Sequence, residues 1–190
     1  RRTWRYFEQF VTAEDHFLPP DNFQETPVPV VAQRTSPTNI GMYLLSAAVA
    51  LDFGWLGLKD WIARLEATMT ALGRLERYRG HFFNWYDTRT SQPLLPHYVS
   101  TVDSGNLAGH FLALANAIEA VAVRPLWRGQ QLSGVADALA LAPSQSQAHA
   151  RLKVLTESPG SPHDVRVRLR ALAVERFDGS PVGESEIMPL

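Results

Sequence analysis

A chain of 190 residues with 45% hydrophobic and 19% charged side chains can bury the core of one domain or part of a larger one, which excludes a disordered polymer. Its formal net charge of -1, with no run of Lys or Arg, excludes an electrostatic grip on nucleic acid, and the absence of cysteine excludes disulfides and thiolate metal sites. The longest apolar stretch, Ile40 to Leu51, is interrupted by Gly41 and Ser46 and falls short of the roughly 20 residues of a bilayer span, so no membrane span is expected.

Trp4, Phe7 and Phe10 or Val11 recur at helical spacing from the first turn, which predicts a helix over 3–12 and a true N-terminal boundary upstream of Arg1. Thr12 to Pro37 has no sustained period and is too long for an ordinary connection; its aromatic and amide content marks it as a functional loop. Ser36 before Pro37 is a hydroxyl cap ahead of a first-turn proline and opens a helix over 38–53, which Gly54 stops. A second helix is expected over 58–79, with Trp61, Ile62, Leu65, Met69, Leu72 and Leu75 on its apolar face and Gly80 at its end.

His81 to Asp87, followed by a Thr/Ser-rich turn and two prolines, reads as an extended hairpin or ordered loop. Asp103 or Ser104 is expected to cap a third helix reaching Val123, with Leu107, Phe111, Leu114 and Ile118 as its stripe. Beyond Pro125 further helices are expected over 132–142, 146–155 and 164–177, with a frayed tail after Gly179. The fold class is therefore all-α, with paired antiparallel helices in 1–123, weaker helical signal over 124–178, and a tail at 179–190.

The short connection from Gly54 to Gly57 forces its two helices to be antiparallel neighbours. With a third helix antiparallel to the second, the loops 21–39, 81–87 and 100–106 converge at one end. They carry Asp21, Asn22, Gln24, Glu25, Arg34, Thr35, Asn39, Asn84, Trp85, Tyr86, Asp87, Asp103 and Asn106. Amides and carboxylates bond hydroxyls, and aromatic faces stack on the apolar face of a sugar, so this set suits a carbohydrate better than a phosphate or a lipid. Period-two alternation sends Asn84 and Tyr86 to one side and Trp85 and Asp87 to the other, toward a cleft. The competing roles are plainer: Trp85 as a core anchor, Asp87 as a backbone staple, and Asp103 as a helix cap. His81, His97 and His110 match no ligand spacing, so no metal and no cofactor is expected.

PPDNFQE from Pro19, RTSPTNIG from Arg34, GWLG, RLEATMTALGRLERYRGHFFNWYDTR from Arg64, and YVSTVDSGNLAGH from Tyr98 resemble, in order and at compatible spacing, a stretch of the cyclic β-1,2-glucan synthases over Arg2 to Glu119. In that family a membrane-bound glycosyltransferase part builds a linear β-1,2-glucan from UDP-glucose, a central glucoamylase-like (α/α)6 region closes the ring by transglycosylation, and a phosphorylase-like part adjusts length. The resemblance implies a fragment from the start of the central region, a partial toroid with substrate loops at one end. Its partners would be a β-1,2-glucan or other glucan and the remainder of the parent polypeptide. The segment itself is expected to be soluble, at the cytoplasmic face of the inner membrane as part of the membrane-bound parent. The family's catalytic glutamates are expected downstream of Glu119, in sequence beyond this chain, so the chain alone is expected to be catalytically incomplete; the motif match weakens from Val123 onward. Retaining transglycosylation needs two facing carboxylates; Glu14, Asp21, Glu25, Asp87 and Asp103 are those at the loop end. An independent, non-catalytic helical carbohydrate-binding or interaction module is the alternative.

Overall fold

A computed structural model describes residues 1–125, 132–135, 137 and 154. The chain divides into two units, Arg1–Pro125 and Leu126–Leu190. In the second unit, 132–135, 137 and 154 are helical and Leu132 is buried. The rest of the helices expected beyond Pro125, and the tail after Gly179, lie outside the described residues.

In the first unit α1 (Arg2–Phe10) turns Trp4 and Phe7 onto one buried face, one helical turn apart. α2 (Pro37–Asp52) begins as its sequence dictates, with the Ser36 hydroxyl accepting from the Asn39 N–H at 3.2 Å and Pro37 in the first turn. Its C-terminus closes through Gly54 at φ 72, which lets the Trp55 and Leu56 N–H groups reach back to the Ala50 carbonyl. α3 (Leu58–Arg74) follows after Gly57. Ile40, Tyr43 and Leu44 of α2, Trp61, Leu65 and Leu72 of α3, and Trp4 and Phe7 of α1 form one core with Val11, Leu18, Phe83 and Tyr86. Tyr43 sits at its centre, its ring 5.4 Å from Phe7 and its hydroxyl accepting from Arg64 Nη1 at 3.3 Å.

α3 ends five residues before the expected Arg79. Leu75 turns extended to keep its side chain in the core, and Arg77 Nη2 donates to the Leu72 carbonyl at 3.1 Å. The chain then makes a hairpin, in which Arg77–Tyr78 pairs with His81–Phe82 around Arg79 and Gly80 at φ 51 and 86, a mirror-image turn that needs two left-handed residues. Gly80 thus turns a hairpin rather than ending a helix. With two-residue strands β1 (Phe23–Gln24), β2 (Val30–Val31) and β3 (Arg34–Thr35) in the long loop, β4 (Arg77–Tyr78) and β5 (His81–Phe82) in this hairpin and β6 (Tyr86–Asp87) after it, the unit is mainly α-helical with little sheet. β1 pairs β2, and β3 pairs β6 in the register Arg34 to Asp87 and Thr35 to Tyr86, both antiparallel.

α4 (Thr101–Val123) is capped by Ser100, whose hydroxyl accepts from the Asp103 N–H at 3.1 Å; Asp103 therefore stands in the first turn instead of capping. α4 packs along α2 and parallel to it, with Thr38 beside Asp103 and Asn106 at one end and an Asp52–Arg124 ion pair at the other. Direction therefore matches the expected convergence, while the neighbour is α2. Midway, a Cβ built on Gly41 would lie 2.2 Å from His110 Nδ1, so only glycine permits this approach. Met69, expected in the α3 stripe, is exposed, as is Ile118 in α4. α4 leaves much apolar surface open, Leu112 at 71% and Val123 at 88% exposure. Among the described residues it is the one helix long and apolar enough, by length and composition, to cross a membrane, which corrects the reading of Ile40 to Leu51 as the longest such stretch.

Candidate functional site

The loop-bearing end of α2 and α4 is assembled by one connected set of hydrogen bonds. Asp21, delivered by the Pro19–Pro20 segment that Tyr6 holds through a 2.8 Å bond to the Pro20 carbonyl, is the first hub. Its Oδ2 accepts from Arg34 Nε at 3.2 Å, Arg34 Nη2 at 2.9 Å and Asn22 Nδ2 at 3.0 Å, and its Oδ1 accepts from Asn39 Nδ2 at 3.2 Å. The Arg34 guanidinium in turn lies over the Trp85 indole, 4.8 Å from the ring centroid.

Trp85 connects this hub to a second one at Asp103. With the Asn84 amide oriented to satisfy its neighbours, Oδ1 accepts from Trp85 Nε1 and Tyr98 Oη, each at 2.6 Å, and Nδ2 donates to Asp103 Oδ2 at 2.8 Å. The other oxygen of Asp103 accepts from the Thr38 hydroxyl at 2.6 Å, and Asn106 Nδ2 donates to that hydroxyl at 3.1 Å. Residues from all three loops are therefore joined through Asp21, Arg34, Trp85, Asn84, Asp103 and Thr38.

The period-two alternation of 84–87 is present. Asn84 and Tyr86 point inward and are buried, while Trp85 and Asp87 are half-buried. Tyr86 is nevertheless not a ligand residue: it is 0% exposed, and its hydroxyl is used up between the Phe83 N–H and the Glu76 carbonyl, both at 2.7 Å. Thr35, its strand partner, is equally buried and belongs to the core. Asp87 staples its own turn, with Oδ1 accepting from the Arg89 and Thr90 N–H groups at 2.9 and 2.8 Å and from the Thr90 hydroxyl at 3.0 Å. Partial burial pushes its carboxyl up, but these bonds and the Arg89 charge outweigh that and hold it below the usual carboxylate range. Such a group is a poor proton donor at neutral pH. Gln24 and Glu25 are exposed, on and just after β1, apart from the residues joined above.

Three contributors escaped the sequence reading. Thr38 and Tyr98 complete the Asp103 hub, and both lie inside the recognisable motifs, Thr38 directly before Asn39. Behind β3, a buried cluster fixes the strand that carries Arg34: the Thr88 hydroxyl donates to Asp15 Oδ1 at 2.7 Å and sits 2.8 Å from Gln33 Oε1, while the Thr88 N–H donates to the Gln33 carbonyl at 3.2 Å. A carboxylate placed 73 residues before its partner leaves no local pattern to read.

No family model matches the chain. Over 180 residues, 94% of this chain, it is 52% identical to the cyclic beta-(1,2)-glucan synthase NdvB of Rhizobium meliloti (strain 1021). The chain is similar to one stretch of a cyclic β-(1,2)-glucan synthase. That stretch is 6% of the synthase's length. Because the identity spans nearly the whole chain, the similarity to the synthase continues well past Glu119, where the motifs had given out.

Proposed function

We propose that this chain is a glucan-binding stretch of a cyclic β-1,2-glucan synthase, from the region that closes linear β-1,2-glucan into rings by transglycosylation. The observation that carries the proposal is the 52% identity over 94% of the chain to the Rhizobium meliloti synthase. The loop network supplies the place: Asp21, Asn22, Arg34, Asn39 and Trp85 toward the ligand, with Asn84, Asp103 and Asn106 holding them together, and Gln24 and Glu25 at the rim.

The parallel pairing of α2 and α4 supports reading them as neighbouring inner helices of a partial (α/α)6 toroid, with α3 as an outer helix. In this reading the exposed apolar side of α4 meets further helices of the parent polypeptide. The parent is membrane-bound at the cytoplasmic face of the inner membrane. A retaining transglycosylase needs two carboxyl groups about 5 to 5.5 Å apart, one of them able to give up a proton. Asp21 is bound by Arg34, Asp87 by its turn and Asp103 by Thr38 and Asn84, so these three carboxylates are committed to structure, which supports a binding role for the loops with the reacting carboxyls supplied elsewhere in the parent.

Titration calorimetry of the chain with linear β-1,2-glucan tests this. Binding without turnover is expected, and Trp85→Ala should abolish most of it while the melting temperature falls less than for a fully buried tryptophan, whose loss costs about 3 to 5 kcal/mol. No heat of binding from the folded wild type refutes the proposal.

A further inference from the structure

One face of Trp85 is already covered by Arg34, so a sugar approaching that face meets the guanidinium first. Arg34 directs its Nε and Nη2 N–H groups at a single oxygen of Asp21. Its opposite edge, Nη1 and the second N–H of Nη2, has no acceptor among the described residues, and the side chain is 49% exposed. Two near-parallel N–H groups on one rigid plane are matched by two closely spaced oxygens, on one carbon in a carboxylate or on adjacent carbons in the vicinal hydroxyls of a sugar.

Charge decides between those two. The network contains two carboxylates, Asp21 and Asp103, against the one guanidinium, and Asp21 lies 2.9 Å from Arg34, so an anion would be repelled where a neutral diol is not. Asp21 Oδ1 accepts only from Asn39 among the described residues and keeps a lone pair for a hydroxyl proton.

We propose that Arg34, held flat between Trp85 and Asp21, is the specificity-determining residue of this site and that it reads an adjacent pair of equatorial hydroxyls on an internal glucose unit. This rests on the glucan-binding reading above. Its consequence is a choice of linkage. A 1,2-linked unit keeps O3 and O4 free and adjacent, whereas a 1,3-linked unit keeps O2 and O4 on the ring and the exocyclic O6, and no two of these are on adjacent carbons. A β-1,3-glucan therefore offers the pair only at its ends.

The test is calorimetric affinity of the whole chain for linear β-1,2- and β-1,3-glucans of matched length, for the wild type, Arg34→Lys and Arg34→Gln, with circular dichroism to confirm folding. The wild type should prefer the β-1,2 chain by about tenfold, the worth of one charge-assisted hydrogen bond at an exposed position. Lysine keeps the charge without the paired N–H groups, so Arg34→Lys should bind both glucans alike. Equal binding of the two glucans by the wild type overturns the inference and leaves the glucan-binding reading standing, as does an undiminished preference in Arg34→Lys. Displacement of the glucan by millimolar inorganic phosphate would identify an anion site and also overturns it. Failure of the wild type to bind either glucan overturns both readings. Should Arg34→Lys not fold, the wild-type preference and the phosphate competition decide alone.

Discussion

Gly41→Ala probes the contact on which the site is built. The added methyl would arrive 2.2 Å from His110 Nδ1, more than an ångström inside the about 3.5 Å of an ordinary contact, and the imidazole Cγ and Cβ at 2.7 and 2.8 Å close off a small rotation. Overpacking of this kind costs about 1 to 3 kcal/mol, and the close backbone approach puts this case at the upper end. Against it stands the roughly 1 kcal/mol that alanine gains over glycine inside a helix. The net loss should be about 2 kcal/mol, or about 4 to 8 °C in Tm for a chain of this size. In a His110→Ala background the obstruction is gone and only the helix preference remains, so the same substitution should stabilise by up to about 1 kcal/mol. Urea unfolding of the four proteins of this cycle reads a coupling of about 3 kcal/mol. Equal effects of Gly41→Ala in the two backgrounds would refute the packing argument.

Tyr86→Phe should cost roughly 1 to 3 kcal/mol by stranding the Phe83 N–H and the Glu76 carbonyl, with glucan affinity per folded molecule unchanged; urea midpoints and calorimetry check both. Thr88→Val, nearly isosteric, removes a donor from the buried Asp15 carboxylate and should cost about 1.5 to 3 kcal/mol in the same unfolding assay. Burial, reinforced by the Asp21 charge, pushes the Tyr6 hydroxyl from 10.0 up to about 12. The folded state therefore keeps that proton when the unfolded chain has lost it, so stability is full below about pH 10 and falls as pH rises toward about 12. Tyr6→Phe should flatten part of that fall, measured as urea midpoints at about pH 9 and about pH 11.

The starts of α2 and α3 were legible because each rests on a local device, Ser36 and Pro37 for α2 and Gly54 for the turn into α3, whereas that of α4 was read late because Ser100, not Asp103, is its cap. The end of α3 was not, since Leu72 and Leu75 continue the helical stripe and only the Arg79–Gly80 pair, read as a mirror-image turn, reveals the hairpin. Convergence of the three loops followed from helix direction alone. The neighbour of α4 did not, because Gly41 looks like a weak point in an apolar helix until His110 is seen against it. Within the candidate site, polar character selected the right loops but could not separate a residue that faces outward from one used internally. Tyr86 and Asp87 have the composition of ligand residues, and both are committed to bonds within their own turn and hairpin.

The parallel pairing of α2 and α4 has an electrical side. Each helix carries the equivalent of about half a positive charge at its N-terminus, and two such ends side by side repel. Asp103, in the first turn of α4 and bonded to Thr38 in the first turn of α2, places one full negative charge between them. One carboxylate thus balances two helix dipoles, which makes Asp103 a clamp for the aligned pair. Replacing it with asparagine would preserve most of the hydrogen bonds and still let the two helix ends push apart, an effect that added salt should relieve.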